Sequence, residues 1–349
     1  MELFKRITIL IIAFSLSASC SSENVLSDFS NKESDEALYI DAKKALDEME
    51  WDTTIDIINN QLSSTYQDKR DVKLVLASAY AGQCGLLFAN LIQGMTNNPS
   101  SQMFRFFMGV WAGRTVAPDS CELAIDVLQG IGSVSERSDK ENLFLALLGV
   151  ARMGTNLSAN LDSGDHDGDI DADATVCHDD ASGSLTKWPD GPDDPGNPDV
   201  LPFPYIDMYR DEFGHPPGGM TKYLSANAMK RVASGFGLVL ENFAALSDAL
   251  GSGTSIDSIG DLSADCDAAL AAIPGAGAGC ATMTTPAAVS DEMVYAMRFM
   301  MDSAEFGWGT CSIADSVTFF SSLATYNPFT QSPPGTLCCP STRIPGAPF

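Results

Sequence analysis

The chain has 349 residues, 45% of them apolar, which suffices for one or two domains around a sizeable core and excludes wholesale disorder. Lys and Arg number 20 against 46 Asp and Glu, for a net charge of −26. That balance excludes nucleic acid as a partner, because binding it requires Lys and Arg to neutralise phosphate; it also excludes docking of a basic patch on anionic lipid, and favours cations and basic partners.

At the N-terminus, Lys5 and Arg6 precede an apolar run over residues 7–18, ITILIIAFSLSA. A spanning helix needs about 20 apolar residues, so this run suits the hydrophobic region of a signal peptide. Small residues then lead to one cysteine, Leu16-Ser17-Ala18-Ser19-Cys20. The segment resembles the lipobox of bacterial lipoproteins, with Ser17 at the position where that family prefers Leu. The resemblance implies a signal peptide over residues 1–19, a lipid anchor on Cys20 and a polar tether over residues 20–35. Ser21 resembles the residue that follows the anchor in lipoproteins sent to the outer membrane, which implies that location.

Residues 36–160 are predicted to be helical. Ala37, Ile40, Ala45, Leu46 and Met49 recur at helical spacing, followed by Ile55, Ile58 and Leu62. A Leu- and Ala-rich run covers residues 72–95, and a short apolar segment covers residues 103–111. Pro118 breaks the pattern, after which Asp119 or Ser120 is suited to cap a helix carrying Leu123, Ile125, Val127 and Leu128. Ser138 and Glu141 form a capping box ahead of another apolar run. Sustained two-residue alternation is absent, so no strand ladder is predicted. Leu76-Ala77 followed by Tyr80, with Ala89 and with Ala42 one period earlier, resembles the tetratricopeptide repeat, from which Asp41, Thr54 and Gln61 depart. The residues themselves fit a generic bundle of helical hairpins equally well. Either way the predicted class is all-α, with layered helices.

Residues 161–222 are rich in Asp, Pro and Gly and form a long predicted insertion loop. Between Asp162 and Asp199 the chain has twelve Asp, no Glu and one Lys. Asp alone, without Glu, points to short-armed oxygen ligands on turning backbone. With Gly168 set at the sixth position of an EF-hand-type loop, Asp165 and Asp167 fall at positions three and five. Asp169 then offers a carbonyl at seven, Ile170 is the apolar residue at eight and Asp171 sits at nine. The stretch resembles the D-x-D-G-D-x-D loops of calcium-binding repeats. Ser163 stands at position one and Ala174 at position twelve, so Asp162, Asp173, Asp179 or Asp180 would have to complete the ligand set. Asp165, Asp167, Asp169, Asp171 and Asp173 are therefore the candidate ligands of a structural calcium ion, since hard carboxylate oxygens suit calcium better than zinc. The competing reading is a solvated acidic loop, which self-repulsion among five closely spaced Asp disfavours.

A C-terminal helical region is predicted over residues 223–325. It contains a helix from Ser225 with Met229, Val232, Phe236, Val239, Phe243 and Leu246 on one side. A second helix is capped by Ser290 and carries Met293, Met297 and Met300. Residues 326–349 form a Pro- and Cys-rich tail. Apart from Cys20, eight cysteines remain: Cys84, Cys121, Cys177, Cys266, Cys280, Cys311, Cys338 and Cys339. An even number in an exported chain reads as disulfides, and eight allow on the order of a hundred connectivities. Cys266 with Cys280 is the most local pairing, across a Gly-Ala loop. The adjacent Cys338 and Cys339 go to different partners.

No catalytic constellation emerges. His166, His178 and His215 are the three histidines, and none lies in an H-E-x-x-H helix. A nucleophile elbow, a P-loop and a dinucleotide fingerprint are all missing. Phe104, Phe106, Phe107 and Trp111, and likewise the Met stripe, could line a binding face but fit a core better. The expected role is therefore binding without catalysis: an outer-membrane-anchored scaffold or accessory subunit that holds protein partners on its helical surface. The alternative is a solute-binding or helper component of a periplasmic uptake system.

Overall fold

The computed structural model describes residues 33–87, 91, 93–94, 102–176, 222–242, 266–267, 279–301, 303–304 and 306–308. The predicted leader, Cys20 and most of the predicted tether lie outside the described residues, as do Ala89, residues 177–221 with Cys177, His178 and His215, Phe243, Leu246, Cys311, Cys338, Cys339 and the C-terminal tail. The predicted all-α class is observed. The helices are α1 (Asp35–Asp47), α2 (Trp51–Asp56, continued by a π-turn Ile57–Gln61), α3 (Ser64–Gln67), α4 (Arg70–Cys84), α5 (Met103–Gly109), α6 (Pro118–Gln129), α7 (Asp139–Leu161), α8 (Ala226–Glu241) and α9 (Asp291–Met301). Strand is confined to a parallel pair, β1 (Ala174–Thr175) against β2 (Lys222–Tyr223). No described helix is long and apolar enough to cross a membrane.

Helix ends follow local chemistry. Ser34 caps α1 by accepting from Ala37 N–H at 3.3 Å, and Asp35 and Glu36 complement the helix dipole in its first turn. Beyond its C-cap, Glu50 N–H returns to Ala45 O (2.8 Å) and Met49 N–H to Leu46 O (3.0 Å), which places Met49 at a left-handed φ of 61°. Ile40 and Met49 share the apolar spacing of α1 yet face solvent; the helix buries Ala42 and Ala45 instead. Asp119 and Ser120 do not cap α6. The helix starts one residue earlier, with Pro118 in its first turn, where proline's missing N–H has no helical partner to lose. Asp119 pairs with Arg231 and Ser120 bonds Gln83. The capping box at Ser138 and Glu141 is present, and Ser225 and Ser290 cap α8 and α9.

Packing runs helix to helix in chain order: α1 on α2, α2 on α4, α4 on α6, α6 on α7, α7 on α8 and α8 on α9. The α7–α8 pair is the most extensive. Two glycines allow it. A Cβ on Gly149 would lie 2.7 Å from Gly235 O, and one on Gly235 would lie 2.7 Å from Gly149 O. The main core gathers Phe104, Phe107, Trp111, Met153, Leu157, Phe236, Met293, Met297 and Met300, so both the aromatic group and the Met stripe are core. Phe106 packs against this core from its edge. Disulfides join Cys84 to Cys121 and, as the sequence predicts, Cys266 to Cys280, with Cα separations of 5.1 and 6.1 Å.

Two buried charges of the helical body, Arg152 and Glu141, are paired. Arg152, 1% exposed, bonds Glu122 and donates to Ser234 Oγ at 2.9 Å. Burial raises the Glu122 carboxyl, and the adjacent Arg152 opposes that shift. Glu141 accepts from Arg70 Nε at 2.7 Å and from Ser138, and these bonds, Arg70 foremost, lower its pKa to about 2.

Two outcomes test this packing. Gly235→Ala should destabilise the protein by about 1–3 kcal/mol in denaturant melts, because the overpacking penalty outweighs the roughly 1 kcal/mol gain in helix propensity. Glu141 has a folded-state pKa below its unfolded value, so its contribution is complete above about pH 4.5 and is lost as pH falls towards 2. Glu141→Gln should therefore lower stability at neutral pH by about 1–3 kcal/mol and flatten the pH dependence between those limits, as read by melts across that range.

Candidate metal centre

The acidic loop begins where α7 stops. Asp162 follows Leu161 directly and is fully buried. Its Oδ1 accepts from Asp167 N–H at 3.1 Å, and its Oδ2 from Gly168 N–H at 2.9 Å. One carboxylate thus gathers the backbone of a turn five and six residues ahead. The return limb closes when Asp171 N–H donates to Leu161 O (2.8 Å) and Gly164 N–H to Asp171 Oδ2 (2.9 Å).

Two positions let the turn lie against the helical body. Gly168 has φ 93°, and a Cβ there would meet Ala112 Cβ at 2.8 Å and Gly109 Cα at 3.0 Å. His166 also takes a left-handed φ of 55°, and its carbonyl accepts from Gly113 N–H at 2.6 Å. Its Nδ1 is buried without a hydrogen bond. Ile170 packs against the main core, as its predicted register requires. The base of the insertion is held by the β1–β2 pair and by the buried Arg298, which donates to Val176 O (3.0 Å) and Leu224 O (2.8 Å).

Among the described residues, Asp162, Asp165 and Asp171 each bring one carboxylate oxygen within 4.8 Å of the others. Asp165 and Asp171 belong to the predicted ligand set; Asp162 supplies the carboxylate missing at Ser163. The side chains of the other three predicted ligands lie outside this trio, and for Asp169 the predicted ligand atom is the backbone carbonyl, not the carboxylate. Asp167 accepts from Asp169 N–H at 2.8 Å. Asp169 accepts from Trp308 Nε1 at 2.8 Å and faces Arg105 at 3.7 Å. Asp173 pairs with Lys222 at 3.1 Å, and the same ammonium bonds Asp171 at 2.6 Å.

The electrostatics of the cluster favour a cation. Burial, then the nearby Asp167 and Asp171 carboxylates, push Asp162 up to about 6, against the opposing pull of the Gly168 N–H and His166. Asp171 and Asp173 raise the Lys222 ammonium in turn, so this lysine is the cluster's internal counter-ion. Three short carboxylates, one of them buried, together with turning backbone make an oxygen donor set of the kind hard divalent ions use.

No family model matches the chain, and neither a curated protein nor a solved structure matches it.

Proposed function

We propose that this chain is an exported, lipid-anchored binding protein of the outer membrane, in which the loop following α7 holds one structural calcium ion. The convergence of Asp162, Asp165 and Asp171 carries the calcium reading. The signal-peptide pattern and the small residues before Cys20 carry the anchor. In this reading a calcium ion satisfies the buried Asp162 and ties the end of α7 to the return limb at Asp171. The helical surface of residues 36–160, layered in the manner of tetratricopeptide repeats, then serves as the contact face for protein partners. A second reading, a solute-binding component of an uptake system, is favoured by a polar cleft between α6, α7 and α8.

Calcium at about 10 mM should stabilise the folded chain by roughly 1–3 kcal/mol if the site binds at about 10⁻⁴–10⁻³ M, the range of extracellular calcium modules. Trp308, bonded to the loop through Asp169, should report binding as a fluorescence change. An Asp165→Asn/Asp171→Asn variant should lose the response, and Asp167→Asn should keep most of it. Lys222→Gln should bind calcium more tightly, since the competing ammonium is gone. Melting curves that ignore calcium in the wild type would leave the loop a solvated acidic insertion.

Anchoring is tested separately. Cys20→Ala should shift the protein from the membrane to the soluble fraction or block its maturation. Unchanged membrane fractionation of that variant would overturn the anchor.

A further inference from the structure

The cleft named above lies between the N-terminal turns of α6 and α8 and the C-terminal half of α7, with a volume of about 320 Å³. It is separate from the acidic loop, and its wall is polar: Asp119, Asn156, Asn160, Ser225, Asn227 and Arg231 line it. An aromatic side chain is missing from that lining among the described residues.

Three features make this wall a built site. First, Asn156 lines the cleft while only 2% exposed. Its Nδ2 donates to Arg152 O at 2.8 Å, and its amide oxygen has no partner among the described residues. That oxygen still contacts solvent at the cleft, where a ligand donor can reach it. Second, the polar groups are held in place. Asn160 Nδ2 donates to Asn156 O at 2.7 Å, and Ser225 Oγ accepts from Ala228 N–H at 3.1 Å. Arg231 is held by Asp119 at 2.7 Å. Preorganised groups lose little entropy on binding. Third, the charges cancel. Arg231 is paired with Asp119, and Arg152 behind it with Glu122, so no net charge is offered to an ionic ligand.

Amide oxygens, amide N–H groups, a serine hydroxyl and a neutralised guanidinium present acceptors and donors side by side. The chemical group that uses both at once is a hydroxyl, which donates one hydrogen bond and accepts others. We infer that the α6–α7–α8 cleft binds a small, uncharged, polyhydroxylated solute of saccharide type. Asn156 and Asn160 accept from its hydroxyls, while Asn227 and Arg231 donate to its oxygens. The inference rests on the solute-binding reading and gives it a ligand class. It uses neither calcium nor the anchor.

The test is ¹⁵N-detected NMR and calorimetry on the full folded chain, titrated to about 50 mM with glucose, galactose and trehalose. Glucose 6-phosphate, glucosamine, alanine and a blocked dialanine serve as charged and amide probes. At least one neutral sugar should give a saturable response at the side-chain amides of Asn160 and Asn227. Asn160→Ala and Asn227→Ala, both on the cleft rim, should each weaken it by about 3- to 10-fold while keeping the wild-type melting temperature. Tighter binding of the charged probes, or of the peptide in place of the sugars, would overturn the ligand class and leave solute binding standing. A cleft that responds to none of the probes would overturn both the class and the solute-binding reading. A sugar response untouched by both substitutions would place binding elsewhere and overturn the site.

Discussion

The close approach of α7 and α8 governs this structure. Gly149 faces Gly235, Arg152 bonds Ser234, and Asn156 and Asn160 share a cleft with Asn227 and Arg231. Position rises along α7 as it falls along α8, so the two helices run antiparallel. The end of α7 therefore meets the start of α8 at one pole. Both functional candidates sit at that pole. Asp162 emerges from α7 into the acidic loop, Lys222 approaches from the strand that leads into α8, and the polar cleft lies about one turn inward. Backbone contact through two glycines leaves no side chain to accommodate a shift, so the register of the pair sets the distance between Asp162 and Lys222.

A second theme is the placement of cations in a strongly acidic chain. The buried arginines act as internal staples. Arg152 neutralises Glu122, Arg137 bonds Asn142 and faces Glu241, and Arg298 gathers the carbonyls at the root of the insertion. Each is held by partners that remain when the surface is acidic. At the loop, Lys222 is the internal cation, shared between Asp171 and Asp173. A buried carboxylate at Asp162 stands beside further aspartates with one shared ammonium nearby, and the divalent ion proposed among Asp162, Asp165 and Asp171 would add the positive charge this arrangement favours.

Much of this was legible in the sequence because it rests on local chemistry. The capping box at Ser138, the serine caps at Ser225 and Ser290 and the short Cys266–Cys280 loop are written within a few residues. The Cys84–Cys121 pairing was not legible, because 37 residues and the α4–α6 contact lie between its halves. Nor was the solvent exposure of Ile40 and Met49, since spacing identifies a helix but not which neighbour covers which side. The loop shows the division within one site. Gly168 and Ile170 sit as their register implies, while the side-chain contacts that tie Asp169 to Trp308, 139 residues distant, and Asp173 to Lys222 are set by the tertiary fold. Asp162 stands in plain view in the sequence, but its burial depends on where α7 ends against the core. The burial of Arg137, Arg152 and Arg298 depends on partners on other elements, which no local pattern shows.

Amide hydrogen exchange at the loop addresses this organisation most directly. Asp167 and Gly168 donate their amides to Asp162, so their protection reports whether the buried carboxylate holds the turn. With calcium raised from zero to about 10 mM, exchange at these two amides should slow by about tenfold or more, with little change in the α1–α2 hairpin. Equal exchange rates with and without calcium would contradict a calcium-organised loop at the end of α7.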